Sequence, residues 1–172
     1  MQGMSLDHIL PKFINNTIYR NDPILRIIQI AMAAVPVEIN KIPLTVISPF
    51  NNVPGKLGYY YTPIQLQQDK ADGKFTMGEE QFERASYGVV RLKLDFSIEA
   101  KKFLITAIHE YIHAAQYEEE PDVMRIIGED PMVVEAKEKA AYDLAEKLTG
   151  TVCEEAWVIK VLDDLDKELN WL

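Results

Sequence analysis

Hydrophobic residues in this chain recur first at helical spacing, then alternate, then return to helical spacing. Leu6, Ile9, Leu10, Phe13, Ile14 and Ile18 recur every three or four positions, predicting an amphipathic helix over residues 4–19. Asp22 and Pro23 supply an N-cap and a first-turn proline for a second helix, from Pro23 to about Ala34. Its apolar residues cover most of the circumference, so it should pack beneath a sheet. Between about 40 and 96 the pattern is β-like. Leu44–Ile47 is a short β-branched run, Asn51–Lys56 a turn built on Pro54-Gly55, and Leu57–Thr62 a second strand. Gln65–Gly73 is polar and reads as a loop closed by Asp72-Gly73. Ser86–Phe96 alternates most clearly. Val90, Leu92 and Leu94 face one way and Arg91, Lys93 and Asp95 the other, which predicts a half-exposed antiparallel or edge strand.

The third zone is helical. Ser97 is a candidate N-cap for a helix running to about Tyr117. Glu118–Asp122 reads as its exit loop, and Gly128–Asp130 as further punctuation. Asp130-Pro131 opens another helix that should stop at Gly150. Thr151 and Glu154 form a T-x-x-E pattern for a last helix to about Asn170, with Trp157, Val161, Leu165 and Leu169 as its apolar stripe. Asp163, Asp164, Lys167 and Glu168 should form its solvated face. The fold class is therefore α+β, a small, mostly antiparallel sheet packed on helices. The chain reads as one domain over residues 1–172: N-terminal helices (1–36), a sheet region (40–96), two consecutive helices (97–150) and a C-terminal helix (151–172).

The helix at 103–117 differs from the others. From Phe103 to Ala115 only Thr106, His109, Glu110 and His113 interrupt an apolar or aromatic run. A helix apolar all round belongs inside a protein. At about 100° per residue the four polar side chains fall within an arc of about 100°. His109-Glu110-Tyr111-Ile112-His113 is a complete H-E-x-x-H. Its imidazoles, at i and i+4, stand one above the other and can meet one Zn²⁺, while Glu110 points beside the ion, where a carboxylate serves as general base. On the following helix Glu138 sits at the border of the apolar face, beside Ala141 and Ala145. A carboxylate there needs a partner, which makes it the candidate third ligand. Glu135 lies about 60° further round; Glu135 and Glu119 are the alternatives. His8, a single histidine near the terminus, reads as a surface residue.

Composition narrows the function classes. The 172 residues carry a formal charge of −9 with pI near 4.8, and without a basic face a nucleic-acid partner is not expected. Hydrophobic content of 48% and mean hydropathy of −0.12 are ordinary for a globular domain. The longest apolar run, around Ile27–Val35, is too short to span a bilayer, so no membrane partner is expected. A lone Cys153 excludes an internal disulfide and fits a reducing compartment. The N-terminal residues lack a signal-peptide pattern. A cytoplasmic location is the expectation.

The order of elements and the motif resemble the zincins, and more narrowly the gluzincins, whose third zinc ligand is a Glu on the helix after H-E-x-x-H. In size the chain is similar to minigluzincins and ImmA/IrrE-like peptidases. The resemblance spans roughly residues 40–150. It implies a zinc metallopeptidase in which His109, His113 and Glu138 hold one Zn²⁺ and Glu110 is the catalytic base. It also implies that an extended peptide adds to the strand before the motif helix, here Ser86–Phe96. Glu138-Lys139-Ala140-Ala141-Tyr142 follows the gluzincin E-x-x-A-[DN] pattern except at Tyr142, and Asp143 stands one position later. Metzincins require Gly and His where this chain has Gln116 and Glu119. Tyr59, Tyr60, Tyr61, Tyr117 and Tyr142 are candidate oxyanion donors. The alternatives are a catalytically silent binding module on the same fold and a metal-free helix with coincidental histidines.

Overall fold

In a computed structural model, residues 11–35, 41–50, 55–74, 83–120 and 131–171 are described. Among the described residues the fold is α+β, with four strands and five helices. The strands are β1 (Lys12–Asn15), β2 (Leu44–Ser48), β3 (Gly58–Tyr61) and β4 (Val89–Lys93). The helices are α1 (Asn21–Ala34), α2 (Pro63–Ala71), α3 (Ala100–Glu119), α4 (Pro131–Val152) and α5 (Ala156–Trp171).

The sheet order is β1-β2-β4-β3. β1 and β4 both run parallel to β2, and only β3 is antiparallel, to β4. The sheet is therefore mixed, not mostly antiparallel. Nor is the Ser86–Phe96 segment an edge. Its strand core pairs with β2 on one side and β3 on the other, Leu92 lying opposite both Ile47 and Gly58. Alternation reports the two faces of a sheet, whereas an edge lies in its plane. Arg91 and Lys93 are partly exposed because their face is open there, with Arg91 5.8 Å from the Tyr61 ring and Lys93 3.5 Å from Asp95. The strand at the edge beside the motif helix is β3.

Three other expectations change. Lys12–Asn15 is a strand, in register with Leu44–Ile47, so the predicted helix does not extend there. Its first part, with His8, lies outside the described residues. Phe13 and Ile14, adjacent in the chain, fit either period, and pairing with β2 decides. Gln65–Gly73 is mostly helix rather than loop. Thr62 and Gln65 form a capping box and Pro63 is the first helical residue. Its one buried side chain, Leu66, joins Leu44, Val46 and Val89 on the sheet face away from α3. Finally, α4 continues through Gly150 to Val152, because Ala145, Thr149 and Val152 are buried at helical spacing. Thr151 Oγ1 bonds back to Lys147 O and caps nothing. Asp130 and residues 121–130 lie outside the described residues.

α3 is the structural centre. It packs on α4, α1, α5, β3 and β4, which is why its sequence is apolar around most of its circumference. Tyr111, fully buried, crosses to the sheet and bonds the Thr45 hydroxyl at 2.5 Å. α1 packs chiefly on α3 and α5 rather than directly beneath the sheet. Ser97 does not cap α3; it bonds Asp95, and the N-cap position is Glu99. The caps come from α5 instead. Asp166 accepts from the Ala100 N–H at 2.8 Å, and Glu168 from the Arg20 N–H at 3.0 Å beside the start of α1. Glu168 also pairs with Arg20 at 2.9 Å, its side chain only 10% exposed, so it is not part of a solvated face. Acidic groups on α5 thus meet the positive ends of two helices.

Candidate metal centre

His109 and His113 project from α3 toward α4, and Glu138 projects back from α4. The helices approach closely because Ala141 and Ala145, both buried, present no bulk at the contact. His109 Nε2 lies 3.1 Å from His113 Nε2 and 3.3 Å from Glu138 Oε2, and His113 Nε2 lies 2.9 Å from Glu138 Oε1. A tetrahedron of zinc bonds about 2.0–2.1 Å long has edges of about 3.3–3.4 Å, so the two Nε2 atoms and the Glu138 carboxylate stand near three of its corners. His109, His113 and Glu138 are the one such group among the described residues. Glu135 and Glu119, the other candidates for the third position, are exposed and outside it.

The donor set fits a metal in a second respect. Gln116 Oε1 lies 2.9 Å from His113 Nδ1. A carboxamide oxygen only accepts, so Nδ1 carries the proton, and a neutral ring then turns the lone pair of Nε2 toward His109 and Glu138. An acceptor behind a ligating imidazole fixes its tautomer and orientation. In the sequence Gln116 stands out only as a departure from the metzincin motif, although its i+3 relation to His113 places it beside that ring.

The electrostatics follow from crowding. The imidazole hydrogen bonds, His109 first and then His113, hold the Glu138 carboxyl far below the usual range. Burial alone pushes His113 down, but the Glu138 hydrogen bond and the Glu110 charge outweigh it and raise the ring. Glu110 is buried beside them, and desolvation drives its carboxyl upward against the pull of both histidines. Its side chain packs against β3 where that strand has no side chain. A Cβ built on Gly58 would meet Thr106 Cγ2 at 2.7 Å, Glu110 Cγ at 3.1 Å and Glu110 Oε1 at 3.3 Å.

These groups open into a cleft of about 400 Å³ between β3 and the α3–α4 pair, with His109, Glu110, His113 and Glu138 in its lining. Among the tyrosines, Tyr59, Tyr60 and Tyr142 line it. The Tyr60 hydroxyl is directed at Tyr87 O, 3.4 Å away. Tyr142 is half exposed with its ring 6.5 Å from that of His109. Tyr117 packs edge-on against Tyr60, and Tyr61 against the opposite sheet face.

No family model, curated protein or solved structure matches the chain. Among the described residues no helix is long and apolar enough to cross a membrane.

Proposed function

We propose that the protein is a zincin-like metallopeptidase of the gluzincin type, with one Zn²⁺ held by His109, His113 and Glu138. The observation that carries the reading is the convergence of three ligand atoms beside a buried carboxylate in an open cleft. A zinc ion bound there supplies a Lewis acid that polarises a carbonyl and makes water acidic.

The chain's own residues supply the rest. Glu110 takes a proton from water entering the cleft and returns it to the leaving amine. Its raised affinity for the proton suits both halves of that exchange. Tyr142 lies at the cleft wall beside His109 with its hydroxyl bonded to Glu146, and would serve a developing oxyanion only by releasing that carboxylate. An extended peptide would bind along β3, which passes the site and pairs only with β4 among the described strands, rather than along Ser86–Phe96. Its backbone would add to the free edge.

The test is a pair of measurements on chelator-free protein. Elemental analysis should return one zinc per chain, lost in His109→Ala, His113→Ala and Glu138→Ala but retained in Glu135→Ala and Glu119→Ala. Glu110→Gln should keep the zinc and lower peptide hydrolysis by about 10²–10⁴-fold. Zinc bound without hydrolysis in wild type across a diverse peptide library would instead favour a silent binding module.

A further inference from the structure

We infer that the cleft selects peptides carrying a carboxylate about three residues from the reacting bond, held by Lys56 and Lys102. The inference rests on the peptidase reading above and names its substrate class.

Charge balance is the first observation. The chain has 27 acidic residues against 18 basic ones, yet among the described residues three lysines, Lys56, Lys102 and Lys137, line the cleft with two carboxylates, Glu110 and Glu138. Both carboxylates are engaged. Glu138 faces the two imidazoles, and Glu110 is buried at the cleft floor. Lys137 is paired with Glu120 at 2.6 Å. Lys56 and Lys102 are exposed, and neither makes an ion pair among the described residues. Lys56 instead rests 5.7 Å from the Tyr59 ring, and its charge reaches Glu110.

Placement is the second. β3 runs alongside α3 in the same direction, since Gly58 lies against Thr106 and Tyr60 against Tyr117. Lys56 precedes Gly58 and Lys102 precedes Thr106, so the two lysines spring from the same end of the cleft, the Lys56 ammonium lying over the Tyr59 ring. Seven helical residues separate Lys102 from His109, about 10.5 Å of rise. An extended peptide covers that span in about three residues. The third-residue carboxylate can be an Asp or Glu side chain or a terminal carboxylate, and two cations at one end of a cleft in an acidic protein favour either over a basic group.

The experiment uses zinc-loaded full-length protein and terminally blocked peptides matched in length, rich in Asp/Glu, Asn/Gln or Lys/Arg. A further matched pair has a free or an amidated C-terminus. Binding is read by fluorescence anisotropy and cleavage positions by mass spectrometry. Acidic peptides should bind more tightly than neutral ones at low salt, the difference shrinking as salt screens it. Lys56→Glu or Lys102→Glu should each reduce the preference roughly two- to fivefold, and the double reversal should turn it toward basic peptides. If only the free C-terminus is preferred, the carboxylate is terminal; if the side-chain series is preferred, it is internal. Cleavage or binding indifferent to peptide charge, or a preference unchanged by the double reversal, overturns the inference and leaves the peptidase reading intact. Zinc-loaded protein that neither binds nor cleaves any peptide overturns both.

Discussion

Gly58→Ala isolates the contact between the edge strand and the motif helix. Gly58 does not occupy the left-handed region, unlike Gly55, Gly73 and Gly88, so alanine meets no backbone strain there. The cost is steric. The new methyl would lie 2.7 Å from Thr106 Cγ2, about 0.8 Å inside the nearest ordinary carbon–carbon distance. Thr106 cannot rotate away freely, because its hydroxyl donates to Lys102 O at 2.7 Å. Overpacking of this kind costs about 1–3 kcal/mol, offset by about 0.4–1 kcal/mol from the stiffer unfolded chain. The net loss should be about 1–2 kcal/mol, or roughly 2–8 °C in Tm for a chain of this size. Hydrolysis should fall further than stability, by up to about 10²-fold, because Glu110 Cγ is the second atom struck, at 3.1 Å. Adding Thr106→Ser removes the struck methyl but keeps the hydroxyl. It should restore most of the Tm and only part of the activity, since the contact with Glu110 remains. Gly150→Ala is the control, with nothing within 4 Å of its Cβ position, and should stabilise by about 0.5–1 kcal/mol. The assays are thermal unfolding and initial rates on the same preparations. A Gly58→Ala protein as stable and active as wild type, or one that Thr106→Ser does not rescue, refutes the close approach.

Gln116→Ala should weaken zinc binding about 10–100-fold without unfolding the protein, because it removes the acceptor that orients His113; competition with a chromophoric chelator measures it, and unchanged affinity removes Gln116 from the site. Zinc at 100 times its dissociation constant should stabilise the fold by about 2.7 kcal/mol, roughly 5–11 °C in Tm, reversed by chelation; a Tm indifferent to zinc contradicts the centre. Tyr111→Phe should cost about 1–3 kcal/mol by leaving the Thr45 hydroxyl buried without its partner. The double variant with Thr45→Val should recover much of that loss in denaturant titration, and a strictly additive loss would show that the pair is uncoupled.

Local spacing was enough for much of this protein. H-E-x-x-H on an apolar helix needs only the 3.6-residue period to bring two imidazoles and a carboxylate to one side, and a helix with one polar arc has to lie inside. Glu138 was legible for a similar reason, since a carboxylate at the border of an apolar face requires a partner. What spacing cannot carry is the identity of neighbours. Ser86–Phe96 announced two faces but not its position between β2 and β3, because both edges of a strand use the same backbone groups. Lys12–Asn15 became strand only through β2. The capping box at Thr62–Gln65 was written locally, but a short polar helix has little periodicity to reveal it. Asp166 and Glu168 accept from helix-terminal N–H groups 66 and 148 residues away in sequence, a relation no local pattern contains. The close approach at Gly58 and the gathering of Lys56 with Lys102 are likewise products of tertiary packing, because contact across elements depends on how the helices and sheet are stacked rather than on any one element's own period.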